Sequence, residues 1–283
     1  MDGLLVINKE KGVTSRDVVN KICHIFNTKK VGHTGTLDPM ATGVLVIAIN
    51  KGLKIVDEIT ALDKEYIAKV SLGIETDTLD ITGNIIKKEN FIKITNEDID
   101  KVLNSFLGEY DMEVPIYSAI KVNGKKLYEY ARNNEKVDIP VHKVTIYELE
   151  RISDIVNNEF YIRCKVSKGT YIRSLVRDIC KKLGTIGVMS ELNRTKQGKF
   201  LIEDSYKIEE IEDGNYKLLS ILDVLDLKKI EIPDNLLNKI KNGNKIENIY
   251  EEDEILFVKD NLPIGIYELD KNDKSIMRPK KIF

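Results

Sequence analysis

The stretch Gly32-His33-Thr34-Gly35-Thr36-Leu37-Asp38-Pro39-Met40-Ala41-Thr42-Gly43 constrains this chain more than any other. It sets three glycines, a proline and three threonines around one carboxylate and one histidine, and the apolar run Val44-Leu45-Val46-Ile47-Ala48-Ile49 follows at once. Ordering such a loop costs conformational entropy and buries little apolar area. A chain that keeps it against a core strand is expected to use it. Gly, Thr, Asp and Pro are also the residues of ordinary solvated turns, so chemistry alone leaves both readings open.

The rest of the chain alternates irregularly between strand and helix patterns. Residues 4–8 read as a short apolar strand. Residues 15–27 read as a helix capped by Thr14, with Val18, Val19, Ile22 and Phe26 on one stripe. A helix is predicted over about 53–61. Tyr66, Ala68, Val70 and Leu72 alternate with Ile67, Lys69 and Ser71, a strand pattern. Thr95-Asn96-Glu97-Asp98 has the form of a capping box ahead of Ile99, Val102, Leu103 and Phe106, with Gly108 as the expected helix end. Asn123-Gly124 marks a turn after a strand ending near Val122. Residues 144–149 and 160–166 read as strands, and 171–183 as a helix closed by Gly184. After about Leu227 the texture changes to short strands near 230–233, 255–259 and 263–267, with a turn at Asn242-Gly243-Asn244. This interleaving predicts an α+β fold with a mixed sheet rather than a doubly wound parallel one. There is neither a G-x-G-x-x-G after a strand nor a G-x-x-x-x-G-K-[ST], so nucleotide-cofactor sites of those kinds are unsupported.

Composition narrows the functional classes. The 283 residues are 42% hydrophobic and 32% charged, the balance of a soluble globular protein large enough for one or two domains. No apolar run approaches the roughly 20 residues of a membrane span, and the short 4–7 run is no signal peptide. No membrane association is expected. Cys23, Cys164 and Cys180 are odd in number and widely spaced, which suggests a reducing, cytoplasmic setting without a disulfide framework. His24, His33 and His142 show no metal-ligand spacing, so no metal is expected. Net charge is −2, yet it is segregated: residues 1–56 carry +4, 57–113 carry −8, 114–200 carry +8 and 201–283 carry −6. Cations gathered on two blocks can build a local phosphate-binding surface on an acidic protein.

The Asp38 loop resembles the signature loop of the TruB family, the bacterial tRNA pseudouridine synthases that act on uridine-55 of the T-loop. Asp63-Lys64-Glu65-Tyr66 resembles the family's D-K-x-Y. Pro115-Ile116-Tyr117-Ser118-Ala119-Ile120-Lys121 resembles P-x-Y-S-A-x-K. Gly124-Lys125-Lys126-Leu127-Tyr128-Glu129-Tyr130-Ala131-Arg132 resembles G-K-x-x-Y-E-x-A-R, and Ser167-Lys168-Gly169-Thr170-Tyr171-Ile172-Arg173 resembles S-K-G-T-Y-I-R. The five motifs occur in the family's order; the last fifty or so residues resemble it only weakly.

The resemblance implies a pseudouridine synthase fold: a large mixed central sheet flanked by helices over residues 1–228, an RNA-clamping insert at about 122–141, and a small β-rich PUA-like domain at 229–283. It implies a monomeric isomerase that flips a tRNA T-stem-loop uridine into a pocket and needs no cofactor. Asp38 is then the catalytic carboxylate, a nucleophile only while ionised. Burial would raise its pKa and Arg173 would pair with it. Tyr66 would stack on the flipped base, where it can also accept a proton. Tyr171 would line the pocket opposite, Leu192 would form an apolar wall, and His33 would fill the gap left by the flipped nucleotide. Lys9, Lys121 and Lys168 are expected to contact RNA, with Lys9 able either to meet a phosphate or to support the loop. The rival readings are a synthase for another RNA, an RNA-binding or tRNA-folding protein without essential catalysis, and a glycosidase. The last needs two catalytic carboxylates where the loop offers one.

Overall fold

A computed structural model of the chain describes residues 1–89 and 93–283. Among these, nine strands form one mixed sheet. Its main path runs Gly3–Lys9, Thr42–Ile49, Gly187–Gln197, Lys64–Leu72, Glu159–Val166, Val141–Arg151 and Gly108–Glu113. Every neighbouring pair on this path is antiparallel except Gly187–Gln197 with Thr42–Ile49, which is parallel. The expected large mixed sheet is present.

The apolar run 44–49 is explained by burial on both faces. Leu45, Ile47 and Ile49, with Leu5 and Ile7 of the neighbouring strand, join the core under helices Ser15–Ile25 and Ile172–Lys182. Val44 and Val46, with Leu4 and Val6, join a second core on the opposite side. That second core is completed by Leu256, Val258 and Ile266 of a small five-stranded sheet. This sheet is built from Lys228–Glu231, Ile246–Glu247, Glu254–Lys259, Leu262–Leu269 and Ile276–Ile282. Lys281 also bridges to Glu58 at 2.7 Å, tying this sheet to helix Val56–Ala61.

Local signals place the helix ends. Thr14 and Asp17 form a reciprocal capping box on Ser15–Ile25, and Thr95 and Asp98 do the same on Asn96–Asn104. Asn123 and Gly124 both take positive φ (51° and 81°), the type I′ geometry that closes the hairpin Lys121–Val122/Lys125–Lys126. Three expectations need correction. Gly108 does not end a helix; the helix stops at Asn104, and Gly108 opens strand Gly108–Glu113. The predicted helix over 53–61 begins as a 3-10 turn, Asn50–Ile55, before Val56–Ala61. In the C-terminal part a helix, Asp234–Lys241, precedes Asn242, where only a turn was read. Among the described residues no helix is long and apolar enough to cross a membrane.

Candidate active site

The Asp38 loop is held in place by buried polar side chains. Ser15 Oγ donates to Leu37 O (3.1 Å) and accepts from Leu37 N (2.9 Å). Gln197 Nε2 donates to Thr34 O, Thr34 Oγ1 and Ile59 O at 2.9–3.1 Å. Arg194, only 1% exposed, donates from Nε to Val44 O (2.6 Å) and from Nη2 to Gly35 O (3.2 Å). The loop returns to the sheet at Gly43, where φ is 100° and a Cβ would lie 2.3 Å from Arg194 O. Only glycine permits that close approach.

Lys9 belongs to this scaffold. Its ammonium is buried and donates to Val13 O (2.7 Å), Glu10 O (2.9 Å) and Pro39 O (3.4 Å). Burial pushes its pKa down to about 8, against the pull of the Asp38 carboxylate. Of the two roles expected for Lys9, support of the loop is the one these donors serve.

Arg173 organises the floor of the site. It is the second residue of helix Ile172–Lys182, so its side chain reaches back past the helix start. Nε approaches Asp38 Oδ2 at 2.9 Å and Nη2 donates to Asp38 Oδ1 at 3.2 Å, a two-pronged pair. The same guanidinium donates to Thr78 O and Tyr117 O, both at 3.2 Å, so one cation joins three loops. Burial pushes the Asp38 pKa up. Arg173 pulls it back, Asp80 adds to the rise and Lys9 opposes it. Asp80 is itself buried, its carboxylate accepting from Thr78 Oγ1 and Thr82 N at 2.9 Å. About a third of the Asp38 side chain remains exposed (31%), so the paired carboxylate is still reachable.

Asp38 opens into a cleft of 1030 Å³. Tyr66, Tyr171, Leu192, His33 and Lys168 all line it, so the fold brings these five to Asp38 and Arg173. Tyr66 and Leu192 sit on adjacent strands, Lys64–Leu72 and Gly187–Gln197, and both are mostly buried. Tyr171 is the N-cap residue of the Arg173 helix, and burial pushes its phenol pKa up. His33 Nδ1 accepts from Gly35 N at 3.3 Å, while burial and the charges of Arg194 and Arg16 push its pKa down. Its ring is thus neutral near pH 7, with the proton on Nε2. Lys121 is exposed on the hairpin and is not among the cleft-lining residues. The lining holds one carboxylate, Asp38, against Lys64, Lys143, Lys168, Arg173 and Arg194, a balance that favours a polyanion.

Ser15, Asp80, Arg194 and Gln197 were not singled out from the sequence as site-builders. The polar run Asn193-Arg194-Thr195-Lys196-Gln197 gave no sign of a buried strand.

Comparison with known proteins identifies the family. The model described as "TruB family pseudouridylate synthase (N terminal domain)" matches residues 23–172, and "tRNA pseudouridylate synthase B C-terminal domain" matches 173–224. The chain belongs to the TruB family of pseudouridylate synthases, which are isomerases. It is 44% identical over 288 residues to the tRNA pseudouridine synthase B of Caldanaerobacter subterraneus subsp. tengcongensis, covering 100% of this chain and 99% of that protein. It is 40% identical over 275 residues to that of Mesoplasma florum, covering 96% and 95%. Among solved structures, the fold is similar to a chain of a Cbf5-Nop10-Gar1 complex with a TM-score of 0.73 at 23% identity, covering 99% of this chain and 84% of that one.

Proposed function

We propose that this protein converts uridine-55 in the T-loop of tRNA to pseudouridine. The observation that carries the reading is the Asp38 carboxylate, paired on two prongs by Arg173 yet still open to the cleft. The reaction breaks the N-glycosidic bond and rejoins the same base to C1′ through C5, with no atoms gained or lost. Attack on C1′, addition to C6 and removal of the C2′ proton all require one ionised carboxylate beneath the nucleoside. Arg173 keeps Asp38 ionised against the cost of burial. Tyr66 offers its ring to the flipped base, where stacking is worth ~1–3 kcal/mol. Tyr171 and Leu192 wall the pocket, and His33 fills the gap left in the T-loop. Lys168 meets a phosphate. Lys121, outside the cleft lining, extends the basic surface along the hairpin.

The names of the curated relatives support tRNA as the substrate. In this reading residues 1–228 do the chemistry, residues 122–141 clamp the RNA, and residues 229–283 form a PUA-like module. The enzyme acts as a monomer in the cytoplasm. The described cysteines, Cys23, Cys164 and Cys180, are free thiols.

Incubating a T-stem-loop RNA with the protein and digesting it to nucleosides tests this directly. Asp38→Asn is expected to reduce pseudouridine formation roughly 10³-fold or more while tRNA binding persists, since phosphate contacts supply most affinity. Substantial turnover by a clean Asp38→Asn preparation would sink the assignment of Asp38.

A further inference from the structure

Two lysines are buried around the cleft, Lys9 and Lys64, and they differ in what surrounds their charge. Lys9 donates to three carbonyls and is drawn by the opposite charge of Asp38. Lys64 is 7% exposed and, unlike Lys9, is one of the cleft-lining residues. Its ammonium donates to Thr60 O and Leu62 O at the end of helix Val56–Ala61. An ammonium has three donors. Among the described residues the third finds no acceptor, and Lys64 makes no ion pair. The charges nearest to it are mostly of its own sign: Arg194 and Lys168 act against it, and Asp63 alone acts in its favour. Asp63 is itself engaged by the Tyr147 hydroxyl. Burial and the two cations push the Lys64 pKa down to about 8. A buried cation is costly to keep unless something of opposite charge meets it. Nothing in the cleft does: its one carboxylate, Asp38, is held by Arg173.

We infer that Lys64 binds a backbone phosphate of the RNA beside the flipped nucleotide, with its free N–H as the donor. This rests on the pseudouridine synthase reading above. The placement fits. Lys64 and Tyr66 lie two residues apart on strand Lys64–Leu72 and both line the cleft. Side chains at that spacing share one face of a strand, roughly 6.5 Å apart. A nucleotide whose base lies on Tyr66 therefore brings its backbone within reach of Lys64. The chemistry fits as well: a phosphate oxygen accepts from an ammonium and supplies the negative charge that Lys64, Arg194 and Lys168 lack. The two carbonyls hold the ammonium in one direction before the RNA arrives, whereas Lys168 is exposed and makes its contact from the surface.

The test is the salt dependence of T-stem-loop RNA binding by the full-length protein. Lys64→Gln keeps an amide donor for the helix-end carbonyls and removes the charge. It should weaken binding about tenfold at low salt, the scale of one charge-assisted contact. It should also lower the slope of log affinity against log salt by about 0.7–0.9. Lys64→Arg keeps the charge and should keep the wild-type slope. A lysine needed only for folding would lower Tm in Lys64→Gln and leave the slope in place, and that result overturns the inference. The wild type supplies a second readout that depends on no destabilised variant: NMR titration of the isotope-labelled lysine Cε signals, with Lys64 assigned by its loss in Lys64→Arg. A phosphate beside the ammonium favours its charged form. The Lys64 midpoint should therefore rise from about 8 when the RNA binds, and a midpoint that stays put overturns the inference as well. Both measurements read binding and not turnover. Wild-type protein that shows both effects yet makes no pseudouridine would sink the proposed function and leave the phosphate contact in place.

Discussion

The loop carrying Asp38 and the segment 122–141 both face the cleft and both are rich in turn residues, yet they are held in opposite ways. The loop is clamped from beneath by Lys9, Ser15, Arg194 and Gln197, all buried, all donating to its backbone or to strand carbonyls beside it. The segment 122–141 rests on surface contacts. Lys125 pairs with Glu135 at 2.6 Å with both side chains partly exposed. Lys126 and Arg132 lie over the Tyr128 ring. Leu127 is its one buried apolar anchor. Exposed ion pairs contribute little, about 0–1 kcal/mol each, whereas orphaning a buried polar group costs ~1–3 kcal/mol. The carboxylate is therefore preorganised by the fold, and the segment is held by weaker, exposed contacts.

The largest test of that contrast is Arg173→Met, which removes the cation from the preorganised side. Turnover at saturating RNA should fall ~10²–10³-fold. The pH profile should move as well. Burial already raises the Asp38 pKa, so activity in the wild type is lost on the acid side above the ordinary carboxylate range near 3.9. Arg173 lowers that pKa, so residual activity in the variant should be lost at a still higher pH. A limb that stays put would show that Asp38 is not the titrating group.

Next is Gln197→Leu, which leaves Thr34 O, Thr34 Oγ1 and Ile59 O without their donor. Stability to urea should drop by about 1–3 kcal/mol, with turnover falling and tRNA affinity held. A variant as stable as wild type would show that the loop is not fixed from below.

Tyr128→Ala probes the adaptable side. It should raise the RNA concentration needed for half-maximal turnover by about tenfold, the scale of one stacked base, with Tm and the saturated rate nearly unchanged. Hydrogen exchange supplies the companion measurement. Amides of 122–141 should exchange faster than those of 33–43 in the free protein and slow on tRNA binding. Equal protection of 122–141 with and without tRNA would mean a preformed surface and would end the comparison.

The smallest effect expected is that of Lys168→Ala. It should lower the slope of log affinity against log salt by about 0.7–0.9, one phosphate contact, and leave turnover at saturating RNA intact. An unchanged slope would remove Lys168 from the RNA surface.

Much of the site could be read from short segments. Asp38 and Arg173 sit in compact motifs, and their pairing was what the family resemblance implied. The strand of Tyr66 was legible through its alternation, and its place in the site through the resemblance. Strand Gly187–Gln197 was not, because Arg194 and Gln197 point inward where polar residues normally point to water. For Lys9 the sequence left two roles open, and the carbonyls of Val13 and Pro39 around its ammonium make it a strut. Gly108 fitted a helix end as well as a strand start, and a glycine at positive φ serves either.

The sequence by itself determined what acts over a few residues. It placed the two capping boxes, the Asn123-Gly124 turn and the apolar strand 44–49. Each of these depends on groups within about four positions of one another, whose geometry the local chain dictates. The tertiary structure alone decided which polar groups are buried and what they hold. Arg194 meets Val44 O across 150 positions, and Gln197 meets Thr34 across 163. Such contacts depend on which strands become neighbours in the sheet, and no local pattern encodes the partner a buried donor will find.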